Sequence, residues 1–121
     1  MINIQKFGIR VTVLCLTMWL PEKALSFSGN DLYADLQKGS PSDTFVVGYV
    51  VGISRMAMLF GYQGECIKIP NEGTARQSAD VVKAYLSDRP DQRHMDAALL
   101  VLLALKKAFG SSPVDSSGWC K

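Results

Sequence analysis

The N-terminal leader is the feature that most constrains what this chain can fold into. Lys6 and Arg10 precede a ten-residue apolar run at residues 11–20, and Ala24-Leu25-Ser26 then places small residues before a cleavage point. A basic, an apolar and a small-residue region in this order are typical of a secretory signal peptide. The apolar run is shorter than the roughly 20 residues that span a bilayer, which disfavours an uncleaved membrane anchor. We expect cleavage after Ser26, so that residues 27–121 fold as one domain.

Removal of the leader changes the charge of the chain. The precursor has 13 Lys and Arg against 11 Asp and Glu, and the leader contains three of these basic residues and one of the acidic ones, so ten of each remain. The mature chain is therefore neutral. A nucleic-acid partner requires clustered, uncompensated basic residues, and we expect no such partner. We also expect no stable membrane insertion after cleavage.

Cysteine usage fits a chain that is exported to an oxidising compartment. Cys15 lies in the leader, and the mature chain keeps Cys66 and Cys120. One intramolecular bridge between them would stabilise the fold by about 4 kcal/mol, because it restricts the unfolded chain; two free thiols are the alternative. Neither cysteine has a zinc-ligand partner at the usual spacing, so we expect no metal and no cofactor.

Apolar periodicity predicts an all-α domain of four helices, or five with a short extra turn. The first helix covers residues 30–37, and the second begins at Ser42 or Asp43. A strand over residues 44–53 competes with the second helix, because that segment is rich in β-branched residues. We favour a helix since Met56-Ala57-Met58-Leu59 continues the same apolar face. The residues expected on that face are Phe45, Val46, Tyr49, Val50, Ile53, Met56, Ala57 and Phe60.

Gly48 and Gly52 lie four residues apart on the second helix and would form a smooth stripe. Each glycine costs about 1 kcal/mol relative to alanine inside a helix. Close approach of another helix, within the subunit or across a dimer, would compensate for this cost. We assign Gly48 and Gly52 to a homodimer interface and keep the internal contact as the alternative.

The second half of the chain has clear helix signals. Residues 61–73 are predicted to form a long irregular loop, and Thr74 with Gln77 forms a capping box that starts the third helix. The fourth helix is predicted to start at Pro90, which suits a first turn, and to end before Gly110. The residues after Gly110 form a polar tail without periodicity, and its order would depend on a bridge from Cys120.

The sequence shows no catalytic constellation. His94 is the only histidine, so any Ser–His or Cys–His pair must use it. A surface role at a helix start, beside Arg93, is the more economical interpretation. There is also no glycine-rich phosphate loop and no metal-ligand spacing. We expect that the chain is not an enzyme.

Short motifs occur in a fixed order along the mature chain. They are Leu32-Tyr33, Gly48-Tyr49-Val50-Val51-Gly52, residues 66–70, residues 74–77, Tyr85-Leu86, residues 90–94 and residues 104–109. Together with the leader, they make the chain similar to the periplasmic Rap/Tai-type immunity proteins, which neutralise peptidoglycan amidase effectors of the type VI secretion system. Many of those proteins carry further cysteines near the first two helices. This chain has none at residues 36–46, so a second disulfide is not available.

The resemblance implies an all-helical periplasmic homodimer that binds a cognate cysteine-type amidase and inserts a loop into its active-site cleft. For that loop we expect Tyr62-Gln63-Gly64-Glu65, with Tyr62 as an exposed anchor and the Glu65 carboxylate near the catalytic histidine of the effector. The alternative is that this loop only carries Cys66 to its disulfide. Asp88 and Arg89 are the second expected effector contact. A partner-binding face formed by Tyr49, Met56, Met58, Phe60 and Tyr62 is one interpretation of the second helix, and we expect most of these side chains in the core instead.

A small periplasmic acid-stress chaperone is the alternative functional class. Such a protein would hide apolar surface in a dimer and release it at low pH, and a single histidine with ten carboxylates makes this less favoured. A chaperone binds many unfolded clients, whereas an immunity protein binds one folded enzyme. Capture of a single folded effector would therefore separate the two classes.

Overall fold

Four α-helices, one 3-10 turn and two short strands make up the computed structural model, which describes residues 27–39 and 42–120. In chain order they are α1 (Gly29–Lys38), α2 (Ser42–Phe60), β1 (Glu65–Ile67), α3 (Ala75–Asp88), the 3-10 turn (Pro90–Gln92), α4 (Ala97–Phe109) and β2 (Ser111–Pro113). The predicted all-α architecture, including the short extra turn, is confirmed. The signal peptide at residues 1–26 and its cleavage site lie outside the described residues.

Helix α1 starts from a capping box. The Ser28 hydroxyl accepts a hydrogen bond from the Asp31 amide (3.3 Å), and the Asp31 carboxylate accepts one from the Ser28 amide (2.9 Å). The Ser28 hydroxyl also donates to the Asp31 carboxylate (2.7 Å), and this bond, followed by the one from the Ser28 amide, lowers the pKa of the Asp31 carboxyl because both favour its ionised form. Gly29 packs so closely on α4 that a Cβ atom would overlap the Leu100 side chain. The start of α1 is thereby anchored against α4.

Helix α2 is helical over the whole segment for which a strand was the competing interpretation, so the predicted helix is confirmed. Its buried stripe is Val46, Val50, Ser54 and Ala57. The expectation that Met56 and Phe60 lie in the core is wrong, since both are exposed, and Phe45 on the predicted apolar face is exposed as well. The reason is that α2 carries two neighbouring apolar faces, and only one of them packs on the other helices. The caps proposed at Ser42 and Asp43 involve side chains outside the described part of the molecule.

Helix α3 begins as predicted. The Thr74 amide donates to the Gln77 side chain (2.8 Å), and the Gln77 amide donates to the Thr74 hydroxyl (3.2 Å). The buried side chains of α3 pack against those of α4 and α1 to form the core. The core side chains of these three helices are Ala79, Val82 and Leu86 on α3, Ala97, Leu100, Val101, Ala104 and Leu105 on α4, and Leu32 and Leu36 on α1.

The fourth helix starts seven residues later than predicted. Pro90 opens the 3-10 turn, and α4 begins at Ala97 after an N-cap at Asp96, whose carboxylate accepts from the Leu99 amide (3.2 Å). Between them, the carbonyls of Arg93 and Met95 accept hydrogen bonds from the first residues of α1. A continuous helix would use these carbonyls internally, so the docking of α1 explains the interruption.

The two strands pair antiparallel, with Glu65 opposite Pro113, Cys66 opposite Ser112 and Ile67 opposite Ser111. Neither the loop nor the polar tail was expected to contain a strand, and both expectations are corrected here. A Cys66–Cys120 disulfide, with the Cα atoms 5.5 Å apart, then ties the tail to β1. The predicted bridge is therefore confirmed. Among the described residues, no helix combines the length and the hydropathy needed to cross a bilayer.

Candidate functional site

Residues 62–65, the expected effector-binding loop, form a tight β-turn that we call the 62–65 turn. The Tyr62 amide donates to the Glu65 carbonyl (2.7 Å), and the Glu65 amide donates to the Tyr62 carbonyl (3.0 Å). Gln63 and Gly64 both have positive φ, 51° and 76°, as the mirror-image turns of β-hairpins require. This segment was predicted as part of a long loop. It is instead a two-residue hairpin turn with both central residues exposed.

A hydrogen bond, close packing at Gly61 and the disulfide constrain the 62–65 turn. The Val114 amide donates to the Gly64 carbonyl (2.9 Å), which joins the turn to the C-terminal tail. Gly61 has a φ of 70°, and a Cβ atom there would lie 2.7 Å from the Glu65 carbonyl and 3.2 Å from the Cys120 sulfur. Only glycine fits this position. The adjoining disulfide ties Cys66, the residue after the turn, to Cys120 in the tail, so the turn projects from a constrained platform.

The Glu65 carboxylate forms an ion pair with Lys106 in the last turn of α4. The hydrogen bond from Lys106 lowers the pKa of the Glu65 carboxyl, with a smaller contribution from Ser111. The carboxylate is therefore ionised at neutral pH. Its side chain is 41% exposed, so it can still accept hydrogen bonds from a partner. Tyr62 is only half-buried, and its hydroxyl accepts from the Gln63 side chain (3.2 Å).

The second expected contact, Asp88 with Arg89, lies at the C-terminal end of α3. Asp88 ends α3, and the Arg89 guanidinium lies over the Tyr85 ring, 5.2 Å from its centroid. This turn leads into the start of α4, whereas Glu65 contacts the end of α4. The Lys107 ammonium, one residue along α4 from Lys106, lies 5.9 Å from the centroid of the same Tyr85 ring, so the two expected contacts are linked through the last turn of α4 and not by a direct contact among the described residues.

An exposed apolar face runs along α2. Phe45 is 65% exposed, and Met56, Leu59 and Phe60 are also exposed. Trp119, which is 53% exposed, stacks beside Phe60 with the ring centroids 5.0 Å apart. We call these five side chains the α2 apolar face. The contribution of Trp119 was not predicted from the sequence, although its position next to Cys120 is the signal that could have placed it near β1.

A shallow groove of about 250 Å³ continues the α2 apolar face toward α4. It is lined by Gly52, Ile53, Met56, Ala57, Phe60, Gly61 and Leu102. Gly48 and Gly52 are both exposed, and a Cβ atom at either position would meet no other atom within 4 Å. Within residues 27–39 and 42–120, no other helix approaches either glycine closely, so the internal contact that was the alternative is not seen there. The assignment of Gly48 and Gly52 to a homodimer interface stays a prediction.

The described residues contain no group of three or more His, Cys, Asp and Glu side chains that could hold a metal ion. His94 is exposed in the segment between the 3-10 turn and α4. The two cysteines of this region are joined in the disulfide and do not act as nucleophiles. For recognition of a partner, the described surface offers a rigid turn, an ionised carboxylate and an apolar face.

Comparison with known proteins identifies one family. A family model described as Rap1a immunity proteins matches residues 28–110. The match covers all four helices and β1, and it ends before β2, Trp119 and Cys120. No curated protein and no solved structure matches the chain.

Proposed function

This chain belongs to the family of Rap1a immunity proteins, and on that premise we propose that it binds a type VI secreted peptidoglycan amidase in the periplasm and blocks its active-site cleft. Family membership indicates immunity to a secreted effector and a role as a non-enzymatic inhibitor. The identity of the effector as a cysteine-type amidase and the occlusion mechanism are our proposal. The match over residues 28–110 is the observation that carries it.

The 62–65 turn is the element that we propose enters the cleft. It is narrow, because only Gln63 and Gly64 form its tip, and both are exposed. It is also constrained by the Gly64–Val114 hydrogen bond and by the disulfide. A preordered turn loses little conformational entropy on binding, which favours affinity. The Glu65 carboxylate is placed beside this tip, where it can meet a histidine or an amide donor of the effector.

Substitution of Tyr62 and Glu65 tests this assignment. We expect the Tyr62→Ala, Glu65→Gln double variant to weaken effector binding by roughly 2–4 kcal/mol, the scale of interface hot spots. Isothermal titration calorimetry with the purified effector measures the change. Asp35→Asn is a matched control, because Asp35 forms an exposed ion pair with Lys38 on α1. An equal loss of effector affinity in Asp35→Asn, or an unchanged affinity of the double variant, would refute the role of the turn.

We further propose that the protein is a homodimer joined through the outer surface of α2. The α2 apolar face places five exposed large apolar side chains on and beside one helix, and clusters of this kind mark interaction surfaces. Gly48 and Gly52 would let two copies of α2 approach closely. A two-fold axis through this surface would pair each glycine stripe with the same stripe of the partner. Sedimentation velocity on the wild type and on Met56→Glu tests this proposal; a monomeric wild type would refute it.

The same apolar face is the one observation that favours the chaperone alternative. A chaperone would use it to bind unfolded clients with little selectivity. Suppression of aggregation of an unrelated unfolded protein, measured by light scattering at acidic pH, distinguishes the two functions. We expect no suppression, since the hydrogen bonds from Ser28 and Lys106 lower the pKa of the Asp31 and Glu65 carboxyls, so neither of these two groups supplies a switch in mildly acidic conditions.

A further inference from the structure

The C-terminal tail, residues 111–120, is ordered on the domain with little burial of its side chains. None of its residues is in the buried class, and Trp119 is 53% exposed. Its noncovalent attachments include the pairing of β2 with β1, hydrogen bonds from the Val114 and Cys120 amides, and the Phe60–Trp119 ring contact. Two short strands alone are marginally stable in water, and ordering each residue costs conformational entropy. The order of the tail therefore depends on its covalent bond to Cys66.

The tail in turn constrains the 62–65 turn. The Val114 amide donates to the Gly64 carbonyl (2.9 Å), and Pro113 lies opposite Glu65 in the strand pair. Gln63 has a φ of 51°, in the left-handed region that residues other than glycine seldom adopt. Such a backbone conformation persists where the surrounding structure imposes it. Release of the tail should therefore relax the turn.

An open cleft gives small molecules access to the disulfide. Its volume is about 440 Å³, and both cysteines line it together with Lys68 and Ser112. Cys66 is buried, with 8% of the residue exposed, whereas Cys120 is half-buried. An attacking thiolate therefore reaches the Cys120 sulfur more readily, and access is one of the factors that set the rate of exchange. The positive charge of Lys68, two residues from Cys66, favours the thiolate that leaves.

We propose that the Cys66–Cys120 disulfide is a redox switch that must be oxidised for tight effector binding, an inference that rests on the proposed function. A dithiol reductant turns the switch off. Its first thiolate attacks the Cys120 sulfur, forms a mixed disulfide and displaces Cys66 as a thiolate. Its second thiol then displaces Cys120 and closes the disulfide of the reductant, so two electrons and two protons pass to the protein. The tail is released, the 62–65 turn relaxes and the affinity for the effector falls.

Backbone order parameters of the ¹⁵N-labelled mature chain test the switch without the effector. On reduction with dithiothreitol, we expect the order parameters of Gly64 and Val114 to fall from about 0.85 to below about 0.6, while that of Val82 in the core is unchanged. Trp119 is the only tryptophan of residues 27–121, so its fluorescence reports release of the tail. Unchanged order parameters at Gly64 and Val114 after complete reduction would overturn the switch. Loss of the helices in circular dichroism would also overturn it, because the switch requires a core that stays folded.

Effector affinity is the second readout, and it is measured without reductant so that the cysteine-type amidase is not affected. In calorimetry, we expect the Cys66→Ser, Cys120→Ser variant to bind the amidase at least about tenfold more weakly than the oxidised wild type, because it must order the turn on binding. Thr74→Ala is the matched control, since it weakens the N-cap of α3 and keeps the disulfide; its affinity should equal that of the wild type.

The outcomes separate the switch from the proposed function. Equal affinity of the Cys66→Ser, Cys120→Ser variant and the wild type, or an equal loss in Thr74→Ala, would overturn the switch and leave the proposed function standing. An oxidised wild type that does not bind the amidase would refute the proposed function and, with it, the effect on affinity. The order parameters decide independently whether the disulfide holds the turn.

Discussion

The Cys66–Cys120 disulfide allows the sharpest prediction about stability. It joins β1 to the C-terminal tail across a sequence separation of 54 residues. The tail has few other attachments. Its described contacts with the rest of the domain include the strand pairing of β2, the Val114–Gly64 hydrogen bond, the Cys120–Leu59 hydrogen bond (3.2 Å) and the Phe60–Trp119 ring contact. We expect Cys120→Ser to destabilise the whole domain and to release the tail.

The magnitude follows from the length of the closed loop. For a loop of about 55 residues, the chain-entropy relation gives a loss of about 4 kcal/mol of stability at 25 °C. In a domain of this size, each kcal/mol corresponds to a change of about 4–8 °C in melting temperature. The variant should therefore melt about 15–30 °C below the oxidised wild type. The helical core does not contain Cys120, so the far-ultraviolet circular dichroism of the folded variant should be nearly unchanged.

The assay is thermal unfolding followed by circular dichroism on the mature chain. Cys66→Ser and the Cys66→Ser, Cys120→Ser double variant are matched controls, because each removes the same covalent loop. Reduction of the wild type should lower its melting temperature to that of the variants. If the oxidised wild type and Cys120→Ser melt together, or if the wild type shows two free thiols, the loop-entropy reasoning is refuted.

Three further predictions concern local features. Thr74→Ala removes the N-cap of α3 and should lower the free energy of unfolding, measured by urea titration, by about 1 kcal/mol. A decrease smaller than a few tenths of a kcal/mol would contradict the role of the capping box. Gly52→Ala should stabilise the subunit by about 1 kcal/mol, because the added Cβ meets no atom within 4 Å, yet it should weaken the proposed dimer in sedimentation experiments, and a tighter dimer would refute the interface. The Glu65 pKa is depressed below 4.5 in the folded protein, so the stability that it contributes is present above that pH and lost as the pH falls through the folded-state value. Urea titrations should therefore show wild type and Glu65→Gln differing near neutral pH and converging at low pH; a constant difference would contradict the Lys106 ion pair as its cause.

Elements whose signals lie within one helical turn could be predicted from the sequence. The Thr74–Gln77 capping box places both partners three residues apart, and it sets the start of α3 as expected. The fourth helix shows the limit of such signals. Pro90 and Asp96 both suit a helix start, and only the docking of α1 onto the segment between them determines that α4 begins at the second.

Features that depend on distant parts of the chain were missed. The three-residue strands have no periodicity of their own, and their pairing depends on residues more than 40 positions apart along the chain. The tight 62–65 turn was predicted as part of a longer loop because Gln63 is an unusual residue for positive φ. On α2, apolar spacing identified a helix but did not show which of two apolar faces is buried. The exposure of Phe45 and Met56 is therefore a property of the assembled domain.

Inhibition of the effector tests the central claim most directly. The purified mature chain, residues 27–121, is titrated into the amidase encoded beside its gene while peptidoglycan cleavage is followed. We expect stoichiometric loss of amidase activity, with a weaker loss for the Tyr62→Ala, Glu65→Gln variant. Full amidase activity in the presence of excess folded protein would contradict the proposal that this chain is the immunity protein for that enzyme.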